Sequence, residues 1–255
     1  MMRAVSITAV GTLIPALLLY LWKVSYALSD LAGIWLLFIG VLIFLGNRRL
    51  VLERWRAERR VVLREDSWVS KWMTGGVWAV VSSALLVAIL IPALAWHALT
   101  MPLDVAGILC ALAFASGALF LAMRTFLMRH FMPPFDRVLA SRPSTWLIGL
   151  PFAIILFYVT WHAAEVPTQI ISASFSDALE IDLHELPERS GLLSRALDLA
   201  SAFDSAKLWL VAQARDYPKI TAFYNLDMVL FGLLVARASI VITNFIETHY
   251  DGRSA

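Results

Sequence analysis

The 255-residue chain has one cysteine, Cys110, so it can form no intrachain disulfide and contains no CxxC pair or CxxCH haem-attachment site. A phosphate-binding loop, a Ser–His–Asp constellation and a local metal-ligand spacing are also missing, which leaves the common nucleophilic and zinc chemistries without a sequence signature. Its apolar stretches lack the rows of Asp, Glu, Asn and Gln expected of an ion-coupled pathway. The net charge of +2 is too small to point to nucleic acid.

What the chain has in abundance is apolar surface. Hydrophobic residues make up 60% of it and the mean hydropathy is +0.75, well above the roughly 45–50% apolar content of soluble domains. Residues 4–22, 31–46, 77–96, 105–123, 146–163 and 226–246 are each largely apolar. At 1.5 Å rise per residue, about 20 residues cross a hydrocarbon core of roughly 30 Å, and shorter pieces span with a thinned bilayer or amphipathic flanks. The expected fold is therefore all-α, a polytopic transmembrane helix bundle of about six spans.

The chain divides on this reading into a first transmembrane hairpin (1–46), a basic amphipathic segment (47–72), a second hairpin (73–123), a loop (124–145) and a third hairpin (146–255). The third hairpin carries a long insertion, 164–222, whose leucines and Phe203 recur from Ser190 onward at near-helical spacing. Met1-Met2-Arg3 and the apolar run after it read as a retained first helix, since the run is long and no clear small-x-small cleavage site precedes the next span.

Lys and Arg set the expected orientation. Arg48, Arg49, Arg54, Arg56, Arg59, Arg60 and Arg64 fall between spans two and three, and Arg124, Arg129, Arg137 and Arg142 between spans four and five. The opposite connections are nearly free of them, so the positive-inside rule places both termini and both arginine clusters in the cytoplasm of an inner membrane. The insertion holds nine acidic residues against five basic ones, which suits an external position. Leu50, Trp55 and Val61 interleave the first arginine cluster, which fits a helix lying on anionic headgroups better than a nucleic-acid patch.

Trp96-His97-Ala98 and Trp161-His162-Ala163 end spans three and five, each followed four residues later by Pro102 or Pro167. The return helices end in Phe126-x-x-x-His130 and Phe245-x-x-x-His249, so a duplication of the hairpin is one reading. His97 and His162 are the residues that would serve as haem ligands in a membrane electron carrier. The preferred reading is an interfacial aromatic belt of Trp96 and Trp161, and no cofactor is expected.

Arg237 lies near the middle of span six, where a guanidinium costs at least ~2.5–3.5 kcal/mol on insertion scales. Asp227 is ten residues away and too distant to pair with it along one helix. Arg237 is expected to face a partner or a pore. Gly232-x-x-x-Ala236 beside it permits close helix approach, within the bundle or between copies.

The leading expectation is a non-enzymatic subunit or scaffold of an envelope assembly, such as a secretion or conjugation apparatus. Its partners would be the lipid bilayer, anionic headgroups and other membrane subunits or further copies of itself. The alternatives are a homo-oligomeric channel or transporter using Arg237, and the haem carrier using His97 and His162.

Overall fold

The computed structural model describes residues 2–62, 75–133, 135–163, 170, 173–180, 191–213 and 226–251. Among them lie α1 (Met2–Tyr26), a short 3-10 turn (Asp30–Ala32), α2 (Gly33–Val62), α3 (Gly76–Thr100), α4 (Leu103–Leu127) and α5 (Phe135–Ala163), then α6 (Phe175–Glu180), α7 (Leu192–Gln213) and α8 (Leu226–Asp251). The described residues contain no strand. Six of the helices, α1 to α5 and α8, are long and apolar enough to cross a membrane. Their outward faces carry Leu13, Leu17, Ile89, Leu147 and Ile154, each more than half exposed. Water would not tolerate so broad an apolar surface, whereas lipid tails match it. The chain is a multi-pass helical membrane protein.

Local chemistry explains the helix ends. Met101 is extended (φ −74°, ψ 137°) because the ring of Pro102 crowds the preceding residue out of helical geometry, and α4 starts directly after that proline. Pro15, Pro92, Pro143 and Pro151 all lie inside continuous helices. Membrane helices accommodate such positions because neighbouring segments and hydroxyl side chains re-satisfy the freed carbonyls.

α8 is the axis. It packs along α5, α4 and α2 and also touches α1 and α3. Without a hydrophobic drive between helices inside lipid, such contacts depend on close backbone approach. Gly46 of α2 provides one: a Cβ there would fall 2.7 Å from Val241 Cγ1 and 2.8 Å from the Val241 carbonyl oxygen. Gly117 of α4 provides another, where a Cβ would meet Thr243 Oγ1 at 2.7 Å. Gly232 and Ala236 face α5 within the same chain, since a Cβ on Gly232 would touch Leu156 Cδ1 at 3.1 Å and Ala236 is fully buried. The small-residue stripe of α8 is thus spent on intramolecular packing.

Two boundaries differ from the sequence reading. The second span and residues 47–62 of the basic segment form one 30-residue helix, α2, about 45 Å long; residues 63–72 lie outside the described residues. No proline or glycine interrupts it after Gly46, and Arg49–Glu53 (3.2 Å) and Arg54–Glu58 (2.6 Å) bridge successive turns. Leu50 and Ala57 are buried, so this extension packs on the bundle along part of its length. Most of the expected 124–145 loop is also helical: Arg124 belongs to α4, residues 135–145 belong to α5, and the connection is residues 128–134.

The two apparent hairpin copies pack differently. α5 and α8 share a long interface, whereas α3 lies mainly on α2 and barely meets α4.

Candidate functional site

At the end of the bundle that carries the arginine clusters, α2, α3, α5 and α8 enclose a cavity of about 480 Å³. Three guanidinium groups line it, one each from α2 (Arg54), α5 (Arg142) and α8 (Arg237). Glu58 is the one carboxylate in the lining, and it is held by Arg54 at 2.6 Å. Three positive groups against one negative leave the lining with a formal charge of +2.

Arg237 stands eleven residues into α8, about 17 Å along its axis. Its Nη2 reaches Asn47 Oδ1 at 3.5 Å, the outer limit of a hydrogen bond. Asn47 is oriented for this contact, because its amide nitrogen donates to Ser83 Oγ (3.0 Å) and Ser83 in turn donates to the Ala79 carbonyl (2.6 Å). That leaves the Asn47 carbonyl turned toward α8. A guanidinium has five N–H donors, and no described carboxylate pairs with Arg237 or Arg142. The charges that bear on Arg237 are the like charges of Arg142 and Arg54.

A second arginine group nearby is built in the opposite way. Arg124 is 6% exposed; its Nε donates to Asp136 Oδ2 at 3.1 Å and its Nη1 meets Glu247, tying α4, α5 and α8 together. Arg137 meets Glu53 at 3.5 Å and so ties α5 to α2. These cations are matched by carboxylates and hold the helices in register. Of the cavity arginines Arg54 has Glu58, whereas Arg142 and Arg237 are matched by no described carboxylate.

The other half of the bundle holds an apolar cavity of about 340 Å³ between α1, α3 and α4, floored by α2 and α8. Ile39, Ile43, Leu90, Leu94 and Phe231 line it, together with Cys110 and His97. The His97 ring packs 4.3 Å from that of Phe231. Trp96 lies beside it, but not in a lipid-facing belt: it is buried, and its indole donates to Asp204 Oδ2 of α7 at 2.6 Å. Lys207 of α7 then bridges Asp204 (2.8 Å) and Asp227 (2.6 Å), fastening α7 to the start of α8. Burial opposes the Lys207 charge, but the two aspartates outweigh it and hold the ammonium above its ordinary value of 10.5.

Of the residues singled out from sequence, Arg54, Trp55 and Arg237 meet at one cavity. Arg48 and Arg56 are exposed on α2, and Arg49 is engaged with Glu53. The side chains of Arg59, Arg60, Trp161 and His162 lie outside the described residues. Sequence reasoning missed Arg142 and Asn47. An asparagine directly after an apolar run was the available signal for Asn47; nothing local marks Arg142. No family model, curated protein or solved structure matches the chain.

Proposed function

We propose that this protein is a non-enzymatic membrane protein that takes an anion into the arginine-lined cavity, with Arg237 as its innermost contact. The observation that carries this reading is the convergence of Arg54, Arg142 and Arg237, from three helices, on one cavity with a single carboxylate. Guanidinium groups present planar forks of donors that match oxyanions in pairs of hydrogen bonds. An anion would supply the charge compensation that the described residues do not give Arg237. The working orientation follows the arginine distribution: the cavity opens in the cytoplasmic half of an inner membrane, and α7 lies outside.

The test is thermal unfolding of the detergent-purified chain with added inorganic phosphate and, separately, with phosphatidylglycerol, at fixed ionic strength. The midpoint should rise with at least one of them in the wild type and stay flat in Arg237→Gln. A flat wild-type response to both contradicts the reading. For orientation, Ser174→Cys and Arg56→Cys in a Cys110→Ser background should label from outside and from inside respectively. Both parent positions are exposed, so the opposite pattern inverts the topology.

A second reading, an integral subunit or scaffold of an envelope assembly, is favoured by α7. Leu199 (74% exposed), Phe203 (60%) and Leu210 (55%) leave an apolar surface uncovered on that helix. Purification from native membranes in mild detergent, followed by mass spectrometry, should then yield a stoichiometric foreign subunit. A homogeneous self-oligomer or monomer removes this reading.

A further inference from the structure

We propose that the cavity receives a phosphate group, delivered on the headgroup of an anionic lipid that enters sideways between α3 and α5. The inference rests on the anion-binding reading and adds what the anion is and how it arrives.

Trp78, Ser82 and Leu86 of α3 form one wall of the cavity, and Val138, Ser141 and Arg142 of α5 form the other. Yet α3 and α5 make at most marginal contact with each other, while both pack on the helices between them, α2 and α8. The cavity is therefore a cleft whose open side lies between two membrane-spanning helices. Apart from Arg142, its lip is apolar: Trp78 is 56% exposed, and Leu86 and Val138 stand beside the serines. A free ion approaching from that side would leave water first. A lipid reaches it by diffusing in the plane of the bilayer, with its chains still in hydrocarbon.

Arg142 is exposed and Arg237 is the deeper group, so a tetrahedral oxyanion entering the cleft meets one guanidinium at the lip and another at the floor. Ser82 and Ser141 place hydroxyls on the two walls, where they donate to the Ala79 (3.4 Å) and Val138 (3.0 Å) carbonyls of their own helices and leave their oxygen lone pairs toward the cleft's polar groups. A phosphate diester offers free oxygens to both guanidinium groups while its two ester arms lead away, one toward the chains and one toward the rest of the headgroup. Trp55 and Trp78 bring indoles to the same level, where such rings favour headgroup contact.

The neighbouring arginines Arg124 and Arg137 have carboxylate partners, so their charge is compensated inside the protein. The lining of the cleft retains a net positive charge, which favours a lipid of net negative charge over a zwitterionic one carrying the same phosphate.

Native mass spectrometry of the full chain in a neutral detergent tests the proposal, with phosphatidylglycerol, phosphatidylcholine and inorganic phosphate as probes. The wild type should retain phosphatidylglycerol in preference to phosphatidylcholine, and inorganic phosphate should not displace it. Arg237→Gln and Arg142→Gln should each weaken phosphatidylglycerol about tenfold or more, the scale of one lost charge-assisted hydrogen bond. Arg237→Lys, which keeps the charge but loses the fork, should fall between. Arg142 lies at the exposed lip, so its variant decides the matter even where an Arg237 variant folds poorly. Displacement by inorganic phosphate, or equal retention of the two lipids, overturns the lipid assignment and leaves anion binding standing. Loss of no probe in either variant overturns both.

Discussion

The two cavities share α2, α3 and α8 and differ in almost everything else. α2 contributes Ile39 and Ile43 to the apolar one, then Asn47 and Arg54 to the charged one. α3 contributes Leu90 and Leu94 to the first, and Trp78 and Ser82 to the second. On α8 the adjoining residues Ala236, Arg237 and Ala238 face α5, the arginine cleft and the apolar cavity respectively. In a bilayer an apolar hollow is tolerable, because acyl chains and side chains are alike as solvents. A guanidinium without a carboxylate is not, and it needs an anion or water to compensate it. Of the two regions, only the arginine cleft asks for a ligand to complete it.

That contrast can be broken at several points. The largest effect is expected from Asp136→Ala, which strips Arg124 of a buried partner. Loss of one member of such a pair costs about 3–5 kcal/mol, to be read as a fall in the unfolding midpoint in detergent. A minor fall would mean that Glu247 alone suffices for Arg124. Next comes Trp96→Phe, which removes the indole bond to Asp204 and should loosen α7 from α3 by about 1–3 kcal/mol. Proteolysis within α7 would report it, and unchanged protection would show that Leu193 and Leu197 hold the helix without that bond.

A smaller effect is expected at high pH. Lys207 is held above its ordinary value, so its contribution is complete below 10.5 and is lost as pH rises through the higher folded value. α7 protection in the wild type should fall in that alkaline range, and Lys207→Met should show a weaker dependence there. The smallest effect concerns the apolar cavity. Cys110 is exposed and lines it, so a membrane-soluble maleimide should label it equally in the wild type and in Arg237→Gln. A change in labelling would mean that the two cavities communicate.

Much of the architecture is readable from the sequence because a bilayer enforces it. Six apolar stretches became six helices, and the amphipathic leucines after Ser190 became α7. The boundaries were harder. Arginine density alone suggested a surface segment after residue 46, but Leu50 and Ala57 give that segment a buried face and α2 runs on. Arg124 resembled any loop arginine, since its partners Asp136 and Glu247 are 12 and 123 positions further along the chain. Arg237 stood out because charge at mid-span is costly. Its company did not: a search for carboxylates passes over Asn47, 190 residues away, and Arg142 becomes a neighbour only once α5 packs against α8. Trp96 read as a belt residue because its protein partner, Asp204, lies in the insertion, 108 residues on.

The most direct test of the account compares the wild type with Arg237→Gln by thermal unfolding in phosphatidylcholine nanodiscs, with and without phosphatidylglycerol. If the cleft is built for an anion, the variant should be at least as stable as the wild type without phosphatidylglycerol, because it no longer holds an uncompensated charge. The wild type alone should then gain stability when that lipid is present. If Arg237→Gln is destabilised by the same amount in both membranes, the arginine belongs to the fold and the anion-binding account is wrong.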